Sequence, residues 1–219
     1  MKGCSFCALT MRNEVEDWNQ PLMESNHFMV LPSLGALVEG WLLIAPKRHL
    51  ISMGELSKAL EPEFLSLKSD VVHLVEDLYG SAVAFEHGPS ATKHKVGCGV
   101  DHAHLHVVPI AHELEAAVAP FLPTDAQWKN ADLDSCRDAF QAGMDYLYLE
   151  PGTRRGRILV HDQLGSQLFR RAIAQCIGAD DQFNWRQYPQ YGNISKTIES
   201  VRKAIAAGAG CLMGSENAA

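Results

Sequence analysis

Three histidines alternate with apolar residues in the segment 102–110, which reads His-Ala-His-Leu-His-Val-Val-Pro-Ile. A period of two is the β-strand period, so the segment predicts a strand with His102, His104 and His106 on one face and apolar side chains on the other. The imidazoles of such a strand lie about 6.7 Å apart. Because Val, Ile or Phe would pack better and carry no ring nitrogen, the pattern favours a reactive or metal-binding edge over a merely solvated polar face.

A second chemical signal is the spacing Cys4-x-x-Cys7. It is open to three interpretations, a zinc half-site, a redox pair or a coincidence. Zinc prefers four nitrogen or sulfur ligands in a tetrahedron, and His49, just past a predicted strand end, and His102 are the natural partners. On an alternating strand His102 can face the metal while His104 faces a substrate beside it, which would make the zinc structural.

Composition limits the classes of partner. The 219 residues carry a net charge of -7, are 47% hydrophobic and contain no long apolar run, which predicts neither broad nucleic-acid binding nor a membrane span. Six scattered cysteines and the absence of a secretory signal predict a cytoplasmic protein. A phosphorylated ligand would need a local positive patch, but pairs such as Arg170 and Arg171 are expected to be surface charge.

The hydrophobic periodicity predicts the elements that position these residues. Apolar runs at 27–33 and 41–45 predict two antiparallel strands, an amphipathic repeat predicts a helix over 62–79, and 81–86 predicts another strand. A glycine-bearing loop, 87–99, then leads to the histidine strand. For the second half, the pattern predicts helices at 130–143, 165–177 and 194–206 and strands at 145–149 and 157–161.

These motifs together resemble a known family. The segment His102–Val108 matches the His-φ-His-φ-His-φ-φ signature of the histidine-triad (HIT) superfamily of nucleotide hydrolases and transferases. The segment Leu43–His49 resembles the second conserved stretch of that superfamily, and Cys4-x-x-Cys7 is similar to its zinc-carrying branch. The three motifs follow one another in the family's order.

The resemblance implies an architecture. It predicts an α+β fold in which a HIT-like antiparallel sheet of about five strands with packed helices forms a catalytic domain over residues 1–112. Residues 113–206 are predicted to form a C-terminal α/β extension packed on that domain, and residues 207–219 a flexible tail. The resemblance also implies a homodimer and a structural zinc held by Cys4, Cys7, His49 and His102.

The resemblance also implies roles for individual residues. His104 would attack the α-phosphorus of a nucleotide, expel the leaving group and form a nucleotidyl-histidine. His106 would donate a hydrogen bond to the phosphate, whose oxygens the backbone amides of Gly97, Cys98 and Gly99 would hold.

Further substrate contacts are predicted in the strand and loop that precede the triad. Glu86 stands where many relatives carry Asn or Gln, and is predicted to contact the substrate. His94 lies in the long loop and is predicted to contact a phosphate. Gly99 replaces a Ser often found before the triad, and Ser33 takes the position of the acidic residue that commonly binds the ribose diol.

Three functions follow as hypotheses. The favoured one is hydrolysis or transfer at a nucleotide α-phosphate, on dinucleoside polyphosphates or nucleoside phosphoramidates, with a nucleoside monophosphate as product. The departures from the family pattern at Glu86, Ser33 and Gly99 motivate an alternative, a zinc-stabilised nucleotide-binding protein without turnover. A third, a catalytic zinc on the three histidines, is awkward because the outer pair lies about 13 Å apart along a straight strand.

Overall fold

The computed structural model describes residues 4–11, 16, 18–97, 99–151 and 155–209. Within these residues the strands are β1 (Met23–Glu24), β2 (Phe28–Pro32), β3 (Leu42–Pro46), β4 (Val83–Gly88), β5 (Leu105–Val108), β6 (Lys129–Ala131), β7 (Tyr146–Pro151) and β8 (Gly156–Val160). They form one eight-stranded sheet in the order β1-β2-β3-β5-β4-β7-β8-β6. Every neighbouring pair is antiparallel.

Helices cover both faces of the sheet. They are α1 (Ser5–Thr10), α2 (Glu61–Tyr79), α3 (Leu114–Val118), α4 (Leu133–Gln141), α5 (Leu168–Cys176) and α6 (Tyr191–Ala204). The buried sides of α2 and α4 pack on one face, and those of α1, α3 and α5 pack on the other. None of the helices within the described ranges has the combined length and apolar character that crossing a bilayer requires.

The mixed architecture with an antiparallel sheet is confirmed, but the expected count of about five strands is too low. The difference comes from the residues after 112. Strand β7 pairs with β4 along its whole length, from Val83 opposite Pro151 to Gly88 opposite Tyr146, and β8 and β6 follow it outward. The segment after residue 112 therefore continues the sheet that carries the histidines.

The histidine strand is shorter than the alternation predicts. Strand β5 begins at Leu105, so His102 and His104 lie in the segment before it. His106 is the triad member within the strand, between Leu43 of β3 and Phe85 of β4. The alternation itself is kept, because Leu105 and its apolar neighbours pack in the cluster under α2 as expected.

Alternation along β4 sends neighbouring side chains to opposite faces of the sheet. Phe85 and His87 lie on the face of His106, with ring centroids 4.6 and 6.1 Å from its imidazole. Glu86 is buried on the opposite face, where its carboxylate accepts hydrogen bonds from the Met53 amide and the Tyr146 hydroxyl, both at 2.6 Å. The structure therefore places Glu86, which the sequence predicts to contact the substrate, on the face of the sheet opposite His106.

Burial raises the pKa of Glu86 to about 7, although the hydrogen bonds from Tyr146 and Met53 oppose the shift. An unfolded glutamate ionises near 4.5, so the folded chain binds more protons between these values and its free energy of unfolding falls as the pH rises through them.

Glu86→Gln should abolish this fall, because an amide does not ionise. The unfolding free energy of the variant minus that of wild type should therefore rise by about 2–3 kcal/mol from about pH 5 to about pH 8. Urea unfolding of both proteins at each pH measures the gain, and the comparison cancels the titration of every other group. A constant difference between the two proteins would contradict the prediction.

Candidate active site and metal centre

The structure brings the four predicted metal ligands together at one edge of the sheet. Cys4 lies at the N-cap of α1 and Cys7 one turn later, so both thiols face the same side. His49 follows β3 and His102 precedes β5, and the antiparallel pairing of these strands places both histidines at the same end. The thiols are free rather than joined in a disulfide, and all four ligand atoms lie within 4.8 Å of one another.

Three of the separations between ligand atoms match a tetrahedral metal site. Nδ1 of His102 lies 3.3 Å from Sγ of Cys4 and 3.8 Å from Sγ of Cys7, and Nδ1 of His49 lies 3.4 Å from Sγ of Cys7. Tetrahedral zinc with its usual bond lengths to sulfur and nitrogen separates neighbouring ligand atoms by about 3.3–3.8 Å. The donor set of two thiols and two imidazoles therefore fits zinc in both chemistry and spacing.

The second ring nitrogen of His102 orients it toward the thiols. Nε2 lies 2.8 Å from the Pro46 carbonyl, which can only accept, so Nε2 carries the proton and Nδ1 presents its lone pair to the cysteines. Burial lowers the pKa of His102 to about 4, which keeps the ring neutral. Burial and the neighbouring Cys4 raise the pKa of Cys7 to about 11, so binding of a metal cation must displace a thiol proton.

Cys7→Ser should remove one ligand of this centre, reduce the zinc content of the purified protein and lower its Tm. A loss of about 3 kcal/mol corresponds to a drop of roughly 6–12 °C in a chain of this size. Metal analysis and thermal denaturation before and after chelation measure both effects. Cys176→Ser, in α5 and outside the cluster, is the matched control and should retain its zinc; equal zinc content in the two variants would rule out this set of ligands.

A pocket of about 270 Å³ lies beside the metal centre. Phe6 of α1 separates the two, because its ring stacks on His102 at 5.0 Å and on His104 at 5.6 Å between centroids. The residues that line the pocket are Ser5, Phe6, Leu9, Trp18, Asn19, Leu31, Pro32, Ser33, Leu34, Leu43, Val100, His104, His106, Arg170 and Trp185. The pocket thus combines mainly apolar walls with two imidazoles and one guanidinium.

The two imidazoles are held in complementary tautomers. Nδ1 of His104 lies 2.7 Å from the His102 carbonyl and must donate to it, which leaves Nε2 with a lone pair. Nδ1 of His106 lies 2.9 Å from the indole nitrogen of Trp41, which can only donate, so the proton of His106 resides on Nε2. Burial lowers the pKa of both rings and favours their neutral forms. With centroids 4.8 Å apart, one ring offers an electron pair and the other an N–H group.

Arg170 and Trp185 line the pocket, although in the sequence Arg170 is only part of one of several candidate positive patches, expected to be surface charge, and Trp185 is not a candidate site residue. The expectation that Arg170 is surface charge is wrong, because the residue is only 2% exposed. Its side chain enters the pocket from the first turn of α5. It lies between Leu168 and Ala172, two of the apolar positions that recur every four residues along this helix. Gly35, at φ 74°, allows the approach of Trp185, since a Cβ there would lie 2.5 Å from the Cβ of Trp185.

His87 is a further residue close to these rings that the sequence did not single out. It is buried, its Nε2 accepts from the Phe169 amide at 3.2 Å, and burial together with the charges of His104 and Arg170 lowers its pKa to about 3. The sequence does indicate this placement, because Phe85 and His87 are two residues apart in β4 and therefore point to the same face of the sheet, whereas Glu86 points to the other.

Other predicted contacts lie away from the pocket. His94 is paired with Asp145, with Nδ1 2.8 Å from the carboxylate, and the structure does not bring it to the two imidazoles. The amide of Gly97 donates to the His94 carbonyl at 3.3 Å, and Gly99 adopts φ 73° without lining the pocket. Cys98 falls outside the described residues.

The structure does not arrange the three histidines around one metal position. His102 faces the cysteines, whereas His104 and His106 face the pocket. Within the described part of the chain, the one group of residues arranged to hold a metal contains His102 without the other two.

The chain is similar to several solved structures. A hypothetical histidine triad nucleotide-binding protein from Sulfolobus tokodaii is 22% identical, with 48% of this chain and 68% of that chain covered and a TM-score of 0.40. A HIT family protein from Bacillus anthracis is 18% identical, with 51% and 76% covered and a TM-score of 0.44.

A Zn-bound histidine triad family protein from Mycobacterium smegmatis is also similar. It is 18% identical, with 64% of this chain and 92% of that chain covered and a TM-score of 0.40. No protein-family model matches the sequence, and no curated protein matches it.

Proposed function

We propose that the protein is a nucleotide hydrolase or nucleotidyltransferase that acts at an α-phosphate through a covalent intermediate on His104. The observation that carries the proposal is the pair of complementary tautomers in the pocket, a lone pair on His104 beside an N–H group on His106. A nucleophile and a hydrogen-bond donor at this separation are the groups that phosphoryl transfer requires.

The proposed reaction has two displacements. Nε2 of His104 attacks the α-phosphorus, a nitrogen–phosphorus bond forms, and the bond to the leaving group breaks with its electron pair. Water or another hydroxyl acceptor then attacks the same phosphorus and releases its proton to solvent, and the electron pair of the nitrogen–phosphorus bond returns to Nε2. The Nε2–H group of His106 donates to a phosphate oxygen throughout, which stabilises charge as it spreads over the transition state.

Dinucleoside polyphosphates and nucleoside phosphoramidates are the proposed substrates, with a nucleoside monophosphate as product. The apolar and aromatic walls suit a base and sugar, and the pocket volume is close to the lower end of the range of about 300–1,000 Å³ for small-molecule sites. One nucleoside unit therefore fills the pocket, and the leaving group lies toward its opening. The homodimer implied by the family resemblance stays a prediction.

Zinc on Cys4, Cys7, His49 and His102 is proposed to be structural. Bound there, it would supply a cross-link rather than a reactive group, because all four positions of a tetrahedron are taken by the protein. The His102 carbonyl that accepts from His104 belongs to one of these ligands, so the position of His104 depends on the centre.

His104→Ala should lower the release of nucleoside monophosphate at least about 1,000-fold, because the variant lacks the nucleophile. Chromatography of reactions with a panel of dinucleoside polyphosphates, nucleoside phosphoramidates and nucleotide sugars measures the loss. Intact-protein mass spectrometry after rapid acid-free quenching should detect a nucleotidyl adduct on wild type and none on the variant.

His73→Ala is the matched control, since His73 lies exposed on α2 and should leave turnover unchanged. Full turnover by His104→Ala would refute the proposal. Nucleotide binding by wild type without monophosphate release from any substrate would favour the alternative of a nucleotide-binding protein without turnover.

A further inference from the structure

Trp41 makes the hydrogen bond that fixes the tautomer of His106. Both side chains are buried. The indole packs edge-on against the imidazole, with centroids 5.7 Å apart, and against the ring of Phe85 at 5.9 Å. The 2.9 Å hydrogen bond from the indole Nε1 to Nδ1 of His106 therefore lies in the interior, where water does not compete for either group.

This hydrogen bond also opposes protonation of His106. An imidazolium carries a proton on both nitrogens, whereas an indole nitrogen can only donate. A charged His106 would therefore direct its Nδ1–H at the indole N–H of Trp41. The two groups would repel each other, and the buried indole would lose its acceptor, which is unfavourable in the interior of a protein.

The other groups that face His106 act in the same direction. Burial lowers its pKa most, and interactions with three neighbours lower it further, His104 in the preceding segment, His87 in β4 and Arg170 in α5. Phe85 stacks on the imidazole at 4.6 Å and brings no charge. His106 is therefore a hydrogen-bond donor toward the pocket that does not take up a second proton.

A neutral imidazole is a poor acid. Its N–H can stabilise charge on a phosphate oxygen, but a general acid must be the imidazolium, because loss of a proton from the neutral ring would leave an imidazolate. His104 does not supply a proton either, because its Nδ1–H donates to the His102 carbonyl and its Nε2 is the atom that would bond to phosphorus. Neither imidazole of the pocket can therefore protonate a leaving group.

We propose that Trp41 is a positioning residue that keeps His106 a neutral donor, so that the site prefers leaving groups that depart without a proton; this rests on the function proposed above. In a phosphoanhydride the phosphorus–oxygen bond breaks and its electron pair stays on a phosphate, a stable anion. In an alkyl phosphoramidate the phosphorus–nitrogen bond breaks, and the amine needs a proton to depart. Dinucleoside polyphosphates are thus preferred to alkyl phosphoramidates.

The role of Trp41 is tested by ¹⁵N NMR of the histidine and tryptophan side chains in the full chain. In wild type, His106 should keep the neutral Nε2–H tautomer from about pH 5 to about pH 8, with a nitrogen–nitrogen coupling across its hydrogen bond to Trp41. Trp41→Phe keeps an aromatic ring but removes the opposing N–H. Protonation of His106 should then begin about one pH unit higher than in wild type, which corresponds to the loss of one hydrogen bond.

The leaving-group preference is tested with the 4-nitrophenyl and phenyl esters of AMP. The two esters are similar in shape and differ in the acidity of the phenol that departs. Because general acid catalysis would assist the poorer leaving group by about 100-fold or more, its absence should leave kcat/KM for the 4-nitrophenyl ester at least about 100-fold above that for the phenyl ester. Diadenosine tetraphosphate should exceed the butylamine phosphoramidate of AMP by a similar factor of about 100.

Trp128→Phe is the matched control. Trp128 does not line the pocket, and its indole nitrogen makes no hydrogen bond within the described part of the chain. This variant should keep the wild-type NMR signals of His106 and the wild-type kcat/KM for both esters.

A proton on Nδ1 of His106 in wild type, or identical titration of His106 in wild type and Trp41→Phe, would overturn the role of Trp41. For a Trp41→Phe protein that does not fold, the wild-type spectra and the ester ratio decide. Similar cleavage of both esters that depends on His104 would overturn the leaving-group preference and leave the proposed function intact. Release of no monophosphate from any substrate would overturn both.

Discussion

The site depends on the cost of burying several imidazoles side by side. His87, His102, His104 and His106 can share one region only if they stay neutral, because adjacent imidazolium ions in a poorly hydrated interior would repel one another. Each ring has one nitrogen fixed by a group that can play a single role, a carbonyl, an indole or a helical amide. Neutrality and these partners together decide which nitrogen faces a metal, a ligand or the core.

Helix α1 connects the candidate metal centre to the pocket. The six-residue helix contains Cys7 and has Cys4 at its N-cap, so two candidate metal ligands lie on one side, and the ring of Phe6 between them in sequence stacks on both His102 and His104. An isolated helix of this length is not stable in water, so α1 must be held by its contacts. The same contacts that would bind a metal therefore also shape one wall of the pocket.

The sequence predicted most elements within a few residues, since strong periodicity marks α2, β2 and β3. It also predicted that Cys4, Cys7, His49 and His102 would meet, because ligand chemistry restricts their partners. It could not predict Arg170, whose burial depends on the packing of α5 against a distant loop rather than on local pattern. The sequence also did not indicate that Glu86 lies on the face of β4 opposite His106, because its prediction as a substrate contact came from its position along the strand and not from the alternation.

The residues that line the pocket lie far apart in the chain and are therefore synthesised at different times. The metal ligands and the histidines of the triad are all present once β5 has been synthesised, whereas Trp185 and Arg170 belong to segments that emerge much later. Since domains are generally acquired from the N-terminus during synthesis, a nascent chain can assemble the metal centre before it has a closed pocket. The pocket is thus completed only after the segments that carry Arg170 and Trp185 have joined the fold.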